Sequence, residues 1–158
     1  MTAEIDDLIE KLEHARSQLN ACLDKVAPQL ELYPTWKVKQ LMDHITGWDE
    51  LVTTAFHTHS LGDTPALVVK HGINQYNKES VSIRKALSLE QSRQAFAASR
   101  AAVIQALREM PSEKLTQRFR APWGGTCTVA SVVEIFVSHE LEHAKHIEDS
   151  SSNFVEPN

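Results

Sequence analysis

The chain has 158 residues, 42% of them hydrophobic and 23% charged, enough for one domain with a single core. A formal net charge of −5 gives a nucleic-acid-binding role no electrostatic support, and no apolar run reaches membrane-spanning length. Two cysteines, Cys22 and Cys127, make no disulfide framework, and the acidic start over residues 1–7 lacks an apolar leader stretch, so a reducing cytoplasm is the expected setting.

Residues Ile5, Leu8, Leu12, Ala15, Leu19, Cys22 and Val26 repeat at the three-and-four spacing of an amphipathic helix. Pro28 stops it. Thr35 is the expected N-cap of a second helix that starts at Trp36. Its stripe runs Val38, Leu41, Met42, Ile45, Trp48, Val52, Ala55 and Phe56, then fades near His57–Ser60, and Gly62 with Pro65 marks a loop. The stretch from His71 to Leu87, with Ile73, Tyr76 and Val81, predicts a short helix or an irregular approach to the next long one. Ser88 opens a capping box with Gln91. Ala95, Phe96, Val103, Ala106, Leu107 and Met110 follow, and Pro111 closes the run. Pro122–Gly125 reads as a turn. Thr128 caps a last helix with the stripe Val129, Val132, Val133, Phe136, Val137, Ala144 and Ile147. Four long amphipathic helices without a convincing strand predict an all-α four-helix bundle with a long connection between helices 2 and 3. The expected organisation is one domain over residues 1–149 and a flexible tail over 150–158.

Eight histidines are the one compositional oddity. Two of them stand in His139-Glu-Leu-Glu-His143 on the last helix, four residues apart and so on neighbouring positions of one face. That is a ready pair of ligands for a divalent metal. At about 100° per residue, His143 and Glu140 fall inside the apolar stripe and His139 on its shoulder. Burying an unpaired carboxylate or a charged imidazole is costly, and a metal would offset that cost. A catalytic zinc usually has three protein ligands and an open position. His44, on the shoulder of the helix 2 stripe beside Leu41 and Trp48, is the best candidate for the third, and His146 is its rival. His57, His59, His14 and His71 lack partners at ligand spacing. The plainer alternatives are a solvent-bonded histidine pair and a Glu140 paired with Lys145, Arg84 or another base at the bundle surface.

Leu41-Met-Asp-His44-Ile-Thr-Gly-Trp48, together with His139-Glu-Leu-Glu-His143, resembles the DinB-like (YfiT-like) superfamily. Its members are four-helix bundles that bind a divalent metal through three histidines, one in an L-x-x-H-x-x-x-W setting on helix 2 and two in an H-x-x-x-H pair on the last helix. The likeness runs from helix 1 to Ile147. It implies His44, His139 and His143 as metal ligands. Ile73–Asn77 and Pro122–Gly124 are similar to segments of one branch, where they would line or cover a pocket. Members include S-transferases using low-molecular-weight thiols such as bacillithiol or glutathione, and mycothiol-dependent maleylpyruvate isomerases.

The leading expectation is a metal-dependent transferase or hydrolase-like enzyme acting on a small molecule. The metal would be zinc, nickel, manganese or iron, with a thiol as an optional cosubstrate. Glu140 would support the ligands or act as general base. The letters also match the H-E-x-x-H of zinc peptidases, but a third ligand downstream is hard to find. Ala144-Lys-His146 stands where a glycine and a third histidine would follow. A different class of expectation is a non-enzymatic metal-stabilised or ligand-binding bundle. It would be a homodimer joined through apolar residues such as Leu51 and Leu141.

Overall fold

Helix starts follow local hydrogen bonding, and the apolar stripes follow from there. In the computed structural model, which describes residues 2–152, the Thr2 hydroxyl accepts from the Ile5 amide at 3.2 Å and opens α1 (Ala3–Leu23). The second helix, α2, spans Val38–Ser60. It begins two residues later than the sequence predicts, because Trp36 is spent on a turn of its own. The Trp36 amide donates to the Tyr33 carbonyl, and the Trp36 carbonyl accepts from Leu32 and Tyr33. Thr35 sits inside that turn at φ +69°, a conformation that strains a β-branched residue. The cap falls instead at Lys37, whose amide donates to the Gln40 side chain at 2.9 Å. A short helix, α3 (Ile73–Ser82), occupies the long connection. The Ser88–Gln91 box closes reciprocally at 2.9 and 3.0 Å and starts α4 (Leu89–Glu109). Thr128 and Ser131 do the same at the head of α5 (Val129–Ser152). The rest of the expected tail lies outside the described residues.

Where the sequence shows no strand, a minimal antiparallel hairpin pairs β1 (Phe119–Arg120) with β2 (Thr126–Cys127) around the Pro122–Gly125 turn. Two residues per strand are too few for a visible period-2 pattern. The hairpin anchors the α2–α3 connection. The Pro122 carbonyl accepts from Val68 and Val69, and the Arg120 guanidinium donates to the Pro65 carbonyl.

The four long helices form the bundle, α1 packed mainly on α5 and α2 on α4, with α3 against the outer side of α2. Gly47 permits that last contact, since a Cβ there would lie 1.8 Å from the Ser80 hydroxyl. The core has two apolar halves. One gathers Leu8, Leu12, Val52, Phe56, Leu107 and Val133, and the other Leu19, Leu23, Leu41, Met42, Phe96 and Ile147. Leu51, expected on an exposed face, is buried in the first half at 8% exposure.

Between the halves lie four charges, one from each long helix. Arg16 on α1 meets Glu140 of α5 at 2.7 Å and Asp49 of α2 at 3.1 Å. Arg100 on α4 meets Asp49 at 3.0 Å and also Glu140. Asp49 and Glu140 are 0% and 1% exposed. The layer sums to zero charge, and the Ser99 hydroxyl and Phe96 carbonyl take up further bonds. Removing one partner of such a set leaves a buried charge uncompensated. Arg100→Met is therefore expected to lower the unfolding free energy by about 3–5 kcal/mol, read from urea denaturation midpoints.

Candidate metal centre

The same rows that build the core bring three imidazoles together. His44 on α2 and His139 and His143 on α5 each offer one ligand atom, and these atoms lie within 4.8 Å of one another. His139 Nε2 is 3.2 Å from His44 Nε2 and 2.8 Å from His143 Nε2. The rings meet edge to face. His44 is 3% exposed, and the other two are half-buried.

The surroundings keep these rings neutral. Burial, reinforced by His139 and His143, pushes His44 down to about 3, with the Asn77 side chain acting the other way. Burial, with His139 and His146 adding to it, pushes His143 down to about 3 as well. His139 is also lowered by burial, partly offset by Glu140 and Glu142. Neutral imidazoles present lone pairs, and three lone pairs aimed at one point repel unless a proton or a cation lies among them. Tetrahedral Zn–N bonds of about 2.0–2.1 Å space ligand nitrogens about 3.3–3.4 Å apart. The observed 3.2 Å lies close to that spacing, and 2.8 Å is shorter.

The Tyr33–Trp36 turn closes one side of the cluster. The Tyr33 hydroxyl bonds His143 Nδ1 at 2.6 Å, which leaves Nε2 of that ring facing the other histidines. Trp36 lies 4.9 Å from the His44 ring. His146, the rival third ligand, is outside the cluster. It stacks on Tyr33 at 4.1 Å and its Nε2 bonds the Leu32 carbonyl. His59 is buried elsewhere against Phe119 and the Lys114 carbonyl. Glu140, between the two α5 histidines in sequence, points into the charge layer, where both its oxygens face Arg16.

On the other side of the histidines opens a cavity of about 570 Å³. His44 and His139 form its inner wall, Trp48, Trp123 and Phe136 its sides. Ile73 and Asn77 reach it from α3, and Trp123 from the hairpin turn. Trp48 is held between Tyr76 and Trp123, at 4.7 and 6.0 Å, and its indole N–H donates to Asn77 Oδ1 at 2.8 Å. Sequence reasoning missed Tyr33, Trp36 and the two arginines. Tyr33 and Trp36 left no signal, since they stand in a loop. The arginines left one, because each interrupts an apolar stripe: Leu12-Arg16-Leu19 and Phe96-Arg100-Val103.

Fold and site together define a helical-bundle protein with a three-histidine cluster, two members of which, His44 and His139, line a largely apolar cavity. The family model of the DinB superfamily matches residues 33–147, and the chain belongs to that superfamily. A crystal structure of the mycothiol-dependent maleylpyruvate isomerase is similar in fold, with a TM-score of 0.76 at 15% identity. A histidine-to-alanine mutant of that isomerase gives 0.74 at the same identity. Both alignments cover 90% of this chain and 60% of the other, so the chain spans about 60% of the length of those structures. A comparison with curated proteins finds no match. No helix among the described residues is long and apolar enough to cross a membrane.

The buried neutral histidines have a consequence for stability. Unfolded imidazoles protonate near pH 6.5, whereas folded His44 and His143 stay neutral to about pH 3. Between those limits the unfolded state binds more protons, so the metal-free protein loses stability as pH falls through that window. Denaturant titrations at stepped pH should show a shallower slope for His44→Gln/His143→Gln than for the wild type.

Proposed function

We propose that His44, His139 and His143 hold one divalent metal ion whose open position faces the cavity, in an enzyme that transfers or hydrolyses a group on a small molecule. The observation that carries this reading is the convergence of three Nε2 atoms of neutral imidazoles on one point, with His44 and His139 lining the cavity. An all-imidazole donor set suits zinc, nickel or iron better than manganese. Bound there, such an ion would lower the pKa of a thiol or water and supply a nucleophile at neutral pH. A low-molecular-weight thiol is the cosubstrate we favour, because the similar isomerase is mycothiol-dependent.

The chain's own residues divide the remaining work. Tyr33 fixes the His143 ring through Nδ1. Trp48, Trp123 and Phe136 exclude water and hold an apolar body against the histidines. Glu140 acts on position. Its bonds to Arg16 and Arg100 set the rotation of α5 that aims His139 and His143. A zinc-peptidase reading needs that carboxylate free to activate water, and here it is engaged by two guanidiniums. The third histidine also lies upstream of the motif, on α2.

Protein purified without a histidine tag should carry about one equivalent of metal. His44→Ala and His143→Ala should carry little, and added zinc or nickel should raise the thermal midpoint of the wild type alone. A wild type without metal and without a metal-dependent thermal shift would sink the reading. Bound metal without any open coordination position would leave a metal-stabilised binding module in its place. Tyr33→Phe should fold normally and bind metal about 10- to 100-fold more weakly in chelator competition.

A further inference from the structure

We propose that His146 is a positioning residue of the metal centre: it clamps the Tyr33–Trp36 turn onto α5 and so seats the Tyr33 hydroxyl on His143. This rests on taking His44, His139 and His143 as the ligands, and concerns what holds one of them in its orientation.

His146 follows His143 by three residues, so the two rings leave α5 on neighbouring positions of one face. Tyr33 stands in the corner between them. Its ring stacks on His146, with centroids 4.1 Å apart and planes 14° from parallel. The same ring meets His143 edge-on at 5.5 Å and 89°, and its hydroxyl bonds Nδ1 of that residue at 2.6 Å. His146 Nε2 lies 2.8 Å from the Leu32 carbonyl. A carbonyl oxygen only accepts, so Nε2 carries the proton and donates it, and has no lone pair to offer a metal.

The turn needs holding, because its backbone is strained. Thr35 stands at φ +69°, and such a conformation persists only where its surroundings over-determine it. The shape of the turn is fixed from within, by the bonds of Trp36 to Leu32 and Tyr33 and by the Thr35 amide donating to the Glu31 carboxylate. Its seat on α5 is fixed from outside. The Leu32 side chain is buried in the same apolar half as Ala144 and Ile147, which anchors the chain at one point. An apolar contact is non-directional, however, and sets no direction for the Tyr33 ring. His146 supplies two directional contacts, a hydrogen bond to the residue before Tyr33 and a stacked face for the ring itself.

The test is a double-mutant cycle on the full-length protein, with Tyr33→Phe and His146→Leu made singly and together. His146 is exposed, so its replacement leaves the core packing in place. In isotope-labelled, chelator-treated protein, His146→Leu should move the His143 ring nitrogen resonances in the direction that Tyr33→Phe moves them. It should move them no further once Tyr33→Phe is present. In chelator competition with zinc, His146→Leu should weaken binding about five- to tenfold in the wild-type background, and by no more than about twofold in the Tyr33→Phe background. His146→Gln, whose amide still donates to the Leu32 carbonyl, should recover part of that loss. Unmoved His143 nitrogens, or an equal loss of zinc affinity in both backgrounds, would overturn the proposal. The nitrogen resonances are read without metal, so they decide it whether or not zinc binds. Failure of the metal reading appears instead as a wild type that carries no metal.

Discussion

The constraint on which the rest of the structure depends is the layer of four charges across the middle of the bundle. Arg16, Asp49, Arg100 and Glu140 come from four different helices and are almost wholly removed from water. Each ion costs several kcal/mol to desolvate, so the set is tolerable only when complete and in register. A helix that slides by one turn or rotates by one residue leaves a charge without its partner. The two apolar halves supply the burial free energy, and they tolerate small shifts. The layer between them does not, and it fixes how the four helices sit relative to one another.

The histidine cluster and the residues around it draw on two kinds of structure. The histidines stand on α2 and α5, rigid elements phased by the layer. The cavity's walls come partly from the same helices, through Trp48 and Phe136, and partly from the connections, through Ile73 and Asn77 of α3 and Trp123 of the hairpin turn, while the Tyr33–Trp36 turn flanks the histidines. These connections are themselves pinned, by the Pro122 carbonyl and by the close Gly47–Ser80 contact. Thr35 at positive φ is the one non-glycine residue in that conformation among those described, and its turn carries the hydroxyl that orients His143. The strain is held in place by the three backbone bonds that Trp36 makes to Leu32 and Tyr33.

Much of this was legible in the chain, for definite reasons. Helix periodicity gave the four long helices, and side-chain chemistry gave the caps at Ser88 and Thr128. Spacing gave His139 with His143, and helical phase together with family resemblance gave His44. What was not legible is of two sorts. Tyr33 and Trp36 sit in a turn, where no periodicity says which way a side chain points. Arg16 and Arg100 were visible as interruptions of apolar stripes, at positions equivalent to Asp49 after Ile45 and Glu140 after Phe136. That pattern, one charge in the middle of each long stripe with the signs balanced, is what a buried layer looks like in a sequence. Glu140, placed in the apolar stripe, was expected to support the ligands or act as general base, with a surface base as the plainer alternative; its actual partners, Arg16 and Arg100, lie on other helices.

The five residues from His139 to His143 show why letters do not settle a role. On an α-helix, His139 and His143 both lie about 60–100° to the same side of Glu140. If the histidines face α2, Glu140 must face the bundle's centre. A carboxylate in that place is either a reactive group at a metal or a strut within the core, and the motif is the same for both. The choice is made by what waits at the centre. Here it is two guanidiniums, supplied from 124 residues and 40 residues away along the chain. They hold the glutamate of an enzyme-like motif within the core, turned away from the histidine cluster.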